Sequence, residues 1–310
     1  QTTSDTETLV QLIAKSKRVK TIDKIIDAVF QVQGGYALTM MTNKKLVGIR
    51  DPYGIRPLVL GKLKDSYILS SETCALDIIG ADFIREIENG EIVVIDKNGV
   101  ESIKPFPKVP ARPCVFEYVY FSRPASIVGG KAVHEYRKKL GEELAKELSI
   151  EADIVSAVPD SGIPAAIGYS NQSKITYDMG IIRNHYVGRT FIEPTQQIRQ
   201  LGVKLKHNAN KEIIKNKRLI LVDDSIVRGT TSKKLVDMLY NAGAKEIHLC
   251  ISSPPIKHPD YYGIDTPNIK DLIAANHSNE EIRKIIGVDT LQYLSIEGLY
   301  RALGHEKRNE

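Results

Sequence analysis

A chain of 310 residues with 42% hydrophobic content has enough apolar side chains for two domains, each with its own core. The net charge of +5 is modest, with Lys and Arg scattered among Asp and Glu, so an anionic small molecule accounts for the balance and nucleic acid is not required. No stretch has the apolar length of a membrane span, the opening QTTSDTETL is no signal peptide, and Cys74, Cys114 and Cys250 lack disulfide-framework or zinc spacing, so a globular cytoplasmic protein is expected.

Ser4-Asp5-Thr6-Glu7 has capping-box spacing, and Leu9, Val10, Leu12 and Ile13 supply the apolar face of a helix after it. A second helix is expected from Ile22 to Gln33. After Gly34-Gly35 the period changes to strands at Tyr36 to Met41, Lys45 to Arg50, Leu58 to Leu60, Tyr67 to Ser70 and Ile92 to Ile95. Asn43-Lys44 and Asn98-Gly99 read as hairpin turns and Asp51-Pro52-Tyr53-Gly54 as a turn by composition. Helices beside antiparallel strands give a layered α+β domain.

The proline-rich run from Pro105 to Pro113 continues neither strand nor helix and reads as a linker, placing a first domain at 1–110 and a second at 111–310. Beyond it, Val115 to Phe121 reads as an edge element, Val133 to Leu148 as a helix interrupted by Gly141, and Ile154 to Val158 as a buried strand. That strand leads into the small-residue turn Pro159-Asp160-Ser161-Gly162 and a helix. Arg183 to Ile192, with the basic run to Lys206, has no clear period, as in lids and linkers; Arg183, Arg189 and Lys206 are candidate anion contacts. His185 and His207 receive no role.

The most informative stretch is KRLILVDDSIVRGTTS, from Lys217 to Ser232. Leu219 to Val222 form a continuous apolar run, the pattern of a central parallel strand buried on both faces. Asp223 and Asp224 close it, and a helix with Leu235, Val236, Leu239 and Ala242 on one face follows. Backbone N–H groups at that helix start, with the hydroxyls of Ser225, Thr230 and Thr231, suit a phosphate; the two carboxylates suit vicinal hydroxyls or a divalent cation. A sugar phosphate meets both demands. The alternative is a solvated strand end followed by a tight turn. Two such turns on neighbouring parallel strands would converge on one crevice.

VDDSIVRGTT resembles the phosphoribosyl pyrophosphate (PRPP) loop of type I phosphoribosyltransferases, in the form found in the glutamine phosphoribosylpyrophosphate amidotransferases. The resemblance implies that Asp223 and Asp224 contact the ribose hydroxyls and Mg2+, and that Ser225, Ile226, Val227, Arg228, Gly229, Thr230 and Thr231 cradle the 5-phosphate. It makes Asp160, Ser161 and Gly162 the pyrophosphate loop, with Ser161 helping to hold Mg2+, and the segment with Arg183 and Arg189 a flexible loop over PRPP. GIRDPYGIRPL, SSETCALD and NGEIVVID resemble the glutaminase domain of the same family, an N-terminal-nucleophile hydrolase fold. Of that domain's catalytic N-terminal Cys, oxyanion-hole Asn-Gly pair and glutamine-binding Asp, only the last has a counterpart, Asp5; Gln1 is not a nucleophile. The expectation is therefore a chain lacking the N-terminal part of that domain.

The implied architecture is a partial α+β N-terminal-nucleophile hydrolase-like domain, then an α/β type I phosphoribosyltransferase domain with a parallel sheet. The implied reaction takes PRPP and glutamine or ammonia to 5-phosphoribosylamine and pyrophosphate, with glutamate released when glutamine is the donor, the opening step of purine synthesis, in a homo-oligomer open to purine-nucleotide feedback. SSPPIKHPDYYGIDT, from Ser252 to Thr266, also resembles the family. Many members hold an iron–sulfur cluster on four cysteines; only Cys114 takes such a position, Asp260 replaces the second and the C-terminal pair is absent before Glu310, so no cluster is expected. The rivals are a base-specific phosphoribosyltransferase, which would not need the first domain, and a PRPP-sensing regulator, which would usually add a DNA-binding helix-turn-helix that the sequence does not show.

Overall fold

The computed structural model describes residues 4–184, 207–264, 266 and 268–305. The chain divides into two compact units, Gln1–Val115 with Tyr261–Asp265, and Phe116–Asp260 with Thr266–Glu310.

The first unit contains, in chain order, α1 (Asp5–Lys15), α2 (Thr21–Val29), β1 (Ala37–Met41), β2 (Leu46–Arg50), β3 (Val59–Leu63), β4 (Ser66–Ser70), α3 (Thr73–Ile79), β5 (Asp82–Glu86), β6 (Ile92–Asp96) and β7 (Gly99–Ile103). Two antiparallel sheets form, in the orders β1-β2-β6-β7 and β4-β3-β5. Strand alternation decides what each face meets. Val47, Ile49, Ile92 and Val94 point to Leu9, Ile25 and Val29 of the two helices. Val93, between them in sequence, joins Leu58, Leu60 and Ile87 between the sheets. On the far side Leu76 of α3 covers Val59 and Ala81. The result is a helix, sheet, sheet, helix stack.

Both expected hairpin turns form: Thr42 N–H reaches the Lys45 carbonyl around Asn43-Lys44 at 2.8 Å, and Asp96 faces Gly99 across the second. Ser4 caps α1 through its carbonyl, which accepts Glu7 N–H at 3.2 Å, so the interaction differs from the expected box. The turn at Asp51 holds its loops together. The fully buried Asp51 carboxylate accepts N–H bonds from Tyr53 (2.9 Å), Ile55 (3.0 Å) and Tyr36 (3.3 Å), while burial pushes its carboxyl above the usual range. The Arg50 guanidinium donates to the carbonyls of Arg56, Gly54 and Ile87.

A second buried acid carries a stability prediction. Glu91 has no exposed surface and accepts from both arms of Arg85 (2.6 and 2.8 Å), the Ser102 hydroxyl (2.6 Å) and Glu88 N–H (2.7 Å). Burial alone would raise its carboxyl, but these donors outweigh burial and lower it to about 2. A depressed carboxylate contributes stability above its unfolded value of 4.5 that is lost as pH falls through about 2. Glu91→Gln is expected to cost about 2–3 kcal/mol at pH 7, less than for a fully buried pair because Arg85 is partly exposed, and to flatten the acid limb of the denaturation midpoint. Urea titrations from pH 7 to pH 2 read both effects; equal midpoints for the two proteins at pH 7 would refute them.

The second unit begins with a helical turn at Glu117–Phe121, wider than an α-helix, where an edge element was expected. Its cause is distant in sequence: the buried Arg137 donates to the Tyr118 and Ser122 carbonyls at 2.9 and 2.7 Å, and the Ser122 hydroxyl donates to Glu117 at 2.6 Å. Then come β8 (Ile127–Val128), β9 (Lys131–Ala132), α4 (Val133–Glu147), β10 (Ile154–Ala157), α5 (Ile163–Ser173), β11 (Ile181–Arg183), β12 (His207–Ala209), β13 (Arg218–Asp223), α6 (Thr230–Asn241), β14 (Glu246–Ile251), α7 (Asn279–Ile286), β15 (Thr290–Tyr293) and α8 (Ile296–Leu303).

Strands β10, β13, β14 and β15 make one parallel sheet in that order. In β13, Leu219 and Leu221 pack on Leu235, Val236 and Leu239 of α6 and Ile282 and Ile286 of α7. Ile220 and Val222 face Leu140 and Leu144 of α4, Ala165 and Tyr169 of α5 and Leu299 of α8. That double burial is why the strand reads as an unbroken apolar run. Helix α4 is not interrupted at Gly141, contrary to the expectation. A Cβ on Gly141 would lie 1.8 Å from the Ala165 carbonyl oxygen, and one on Gly168 would lie 1.9 Å from that of Lys138, so the glycines mark where α4 and α5 cross. Among the described residues no helix is long and apolar enough to cross a membrane.

Candidate functional site

Strands β10 and β13 are parallel neighbours with Ala157 beside Val222, so their carboxyl ends open side by side. Val158 N–H donates to the Val222 carbonyl at 2.9 Å, and the chain then turns through a cis Pro159–Asp160 peptide to Gly162, the N-cap of α5. Gly162 is where the two turns meet. A Cβ there would stand 2.5 Å from the Val222 oxygen, 3.0 Å from the Val158 oxygen and 3.3 Å from the Asp223 Cα. Backbone on three sides cannot yield cheaply, so Gly162→Ala is expected to cost about 1–3 kcal/mol and lower the melting temperature. Wild-type melting in that variant would show that the turns are not in register.

Asp223 and Asp224 are both 7% exposed at the end of β13. Asp224 N–H donates to Asp223 Oδ1 at 2.9 Å, the Ser225 hydroxyl donates to Asp224 Oδ2 at 2.5 Å, and Ser252 N–H donates to the Asp223 carbonyl at 2.9 Å. Burial first, and the neighbouring Asp224 carboxylate second, push the Asp223 carboxyl well above the ordinary range. Two buried acids side by side are unfavourable until hydroxyl donors or a cation meet them.

The rest of the second turn divides by side chain. Ile226 is buried in the core, and the Val227 carbonyl accepts Ile273 N–H at 2.8 Å. Arg228 is exposed and paired with Asp271 at 2.9 Å. Gly229 caps α6 with φ of 73°, a left-handed conformation that favours glycine. Thr230 and Thr231 are exposed in the first turn of α6, whose leading N–H groups have no partner within the helix. These four residues thus contribute backbone, or side chains tied elsewhere, while Ser225, Thr230 and Thr231 offer hydroxyls.

On the first turn, Asp160 is exposed and ion-paired with Arg183, and Ser161 is half-buried. His207, to which sequence reasoning gave no role, has Nε2 3.4 Å from the Pro159 carbonyl oxygen. Only strand pairing reveals that placement, since His207 and Arg183 are register partners. Arg189, Lys206 and His185 lie outside the described residues. Asp5, in the first unit, is exposed at the start of α1 and accepts Thr6 N–H at 2.7 Å. The first unit also has a cleft of about 650 Å3 lined by Arg50, Glu86, Glu88, Lys104 and Phe106. Four of its charges pair with one another, Arg50 with Glu86 and Lys104 with Glu88.

Comparison with known proteins assigns both halves. A family model described as a glutamine amidotransferase domain matches residues 1–77, and one described as a phosphoribosyl transferase domain matches residues 130–289. The chain is 56% identical over 315 aligned positions to the amidophosphoribosyltransferase of Rhizobium etli, covering 100% of this chain and 64% of that protein. It is 48% identical over 306 positions to that of Bacillus subtilis, covering 99% and 64%. The chain thus spans 64% of the length of these two relatives. A solved structure of B. subtilis glutamine PRPP amidotransferase, complexed with ADP and GMP, superimposes with a TM-score of 0.92 at 48% identity, covering 100% of this chain and 68% of that one. A layered α+β unit, a parallel-sheet unit with two converging turns, and relatives this close over the whole chain lead to one assignment: the chain belongs to the glutamine phosphoribosylpyrophosphate amidotransferase family.

Proposed function

We propose that the second unit binds PRPP in the crevice between the turns at 159–162 and 223–231 and transfers its phosphoribosyl group to ammonia, giving 5-phosphoribosylamine and pyrophosphate. The observation that carries this reading is the contact of the two turns at Gly162, directly beside the buried acid pair. In this reading Asp223 and Asp224 accept the ribose 2- and 3-hydroxyls, and α6 with Ser225, Thr230 and Thr231 holds the 5-phosphate. Asp160, Ser161 and Gly162 border the diphosphate. The nitrogen lone pair forms the new bond to the anomeric carbon as its bond to pyrophosphate breaks, and the amine then loses a proton to solvent. The chain contributes orientation and fixed dipoles rather than a covalent step.

The oxygens of Asp223, Asp224 and Ser161 fit Mg2+, and the raised Asp223 carboxyl is what a cation would relieve. Among the described residues no group of three or more His, Cys, Asp or Glu is set to hold a metal alone, so the ion would complete its shell with substrate oxygens and water. Bound with PRPP, it would neutralise charge on the departing pyrophosphate. We assign no iron–sulfur cluster, since Asp260 stands where the family's cluster has its second thiolate and Cys114 would be left without that partner.

In the first unit, the amidotransferase match supports Asp5 as the ligand for the amino group of glutamine, with domains dividing near 110. The nucleotides in the B. subtilis complex support purine-nucleotide feedback. A cytoplasmic homo-oligomer completes the reading. The test is pyrophosphate release from PRPP with Mg2+ and ammonium chloride at pH 8.5 to 9. Ammonia-dependent release supports the proposal. Release dependent on a purine or pyrimidine base would favour a base-specific transferase, and PRPP binding without turnover a sensor.

A further inference from the structure

We infer that the ribbon formed by β11 and β12 is a clamp that holds the Pro159–Asp160 turn in its diphosphate-accepting shape, with Arg183 and His207 as positioning residues. The inference rests on the reading of 159–162 as the diphosphate turn. Four observations carry it. The ribbon is antiparallel, with Ile181 opposite Ala209, Ile182 opposite Asn208 and Arg183 opposite His207. Its base is fixed in the core: Ile181 and Ala209 are 2% and 8% exposed and share a cluster with Ile214 and Leu219. Its base is also tied to the central sheet, because Gly180 N–H donates to the fully buried Ser156 hydroxyl of β10 at 2.9 Å, and Asn210 N–H donates to the Gly180 carbonyl at 2.9 Å. From that base, the paired residues at the other end reach consecutive residues of the turn, Arg183 the Asp160 carboxylate and His207 the Pro159 carbonyl oxygen.

Each contact has a distinct task. A carboxylate at the edge of a diphosphate site repels the ligand, and the Arg183 guanidinium cancels that charge where it stands. A donor on the Pro159 carbonyl fixes the orientation of the peptide that leads to Ser161 and Gly162. That assigns Nε2 of His207 as the protonated ring nitrogen. Arg183, an anion contact by sequence, therefore acts through Asp160, and His207 acts through backbone. Because the clamp bears on 159–160, it governs the diphosphate and leaves the 5-phosphate seat at 225–231 unchanged.

The two ligand ends separate in a titration. Calorimetry with Mg-PRPP reads both turns, and ribose 5-phosphate reads the 223–231 turn without a diphosphate. Arg183→Met is expected to weaken Mg-PRPP about tenfold and His207→Leu about threefold to tenfold, with ribose 5-phosphate held within about twofold in both. His207→Gln, which keeps a donor close to the Nε2 position, should restore Mg-PRPP affinity. Equal weakening of both ligands would show a general loss of structure and overturn the clamp, as would Mg-PRPP affinity in Arg183→Met and His207→Leu equal to that of the wild type. A wild-type chain that binds ribose 5-phosphate but gains nothing from the diphosphate would overturn the assignment of 159–162 and the clamp with it.

Discussion

Replacing Asp223 and Asp224 together by Asn is expected to weaken Mg-PRPP binding by at least about a hundredfold, on charge-assisted bonds worth about 1.5–3 kcal/mol each, while making the unliganded protein more stable rather than less. The opposite signs follow from burial. The folded-state carboxyl of Asp223 is raised well above its ordinary value of 3.8, by burial and then by Asp224. A raised acid contributes stability below its unfolded value that is lost as pH rises through the folded value, so at neutral pH Asp223 opposes folding. Asn removes that penalty and keeps an oxygen for the Asp224 N–H and Ser225 hydroxyl bonds seen in the native turn. Thermal unfolding without ligand should show a wild-type midpoint that declines between pH 4 and pH 7 relative to the double variant. Calorimetry supplies the other half. Undiminished PRPP affinity in the folded variant would remove the pair from the site.

The second large effect is Gly141→Ala. The new methyl would sit 1.8 Å from the Ala165 oxygen and 2.6 Å from its carbon, both backbone atoms of α5, so α4 and α5 must separate. Ordinary overpacking costs about 1–3 kcal/mol, and a clash with helix backbone belongs at or above the top of that range. An Ala in an exposed helix would gain up to about 1 kcal/mol over Gly, so propensity alone predicts the opposite sign. The denaturant midpoint decides between them. Because Gly162 caps α5, the separation should also displace the turn at 159–162, and Gly168→Ala should reproduce both losses from the opposite helix. Unchanged or increased stability in both variants would contradict the crossing.

What could be read in the sequence was what local pattern controls. The apolar run at Leu219–Val222 and the strand patterns of β1, β2 and β6 gave correct elements because each face of these strands keeps one environment along its length, and Asn43 and Asn98 marked their turns by residue type. Elements with mixed exposure were illegible. In α3, Ile78 and Ile79 are 79% and 49% exposed, and in β5, Phe83 and Ile84 are 47% and 42% exposed, so neither carries a clean apolar period. The turn at Glu117–Phe121 takes its shape from Arg137, and Gly141 takes its place from Gly168; pairs so far apart in sequence leave no local mark. At the site, the acid pair and the small-residue turns stood out by composition. The partners of Arg228 and Arg183 did not, since Asp271 and Asp160 become neighbours only through the fold.

The first unit also takes residues Tyr261–Asp265 from far down the chain. Arg56 donates to the Gly263 carbonyl, 207 residues away, at 3.1 Å, and a Cβ on Gly35 would meet the Tyr262 carbonyl oxygen at 3.0 Å. On the ribosome, domains ordinarily finish in the order they emerge. Residues 1–115 do not close this one by themselves: the surface around Gly35 and Arg56 is met by a segment that is made only after β14. A chain that stops before Tyr261 is therefore expected to leave that surface uncovered, which limited proteolysis would read.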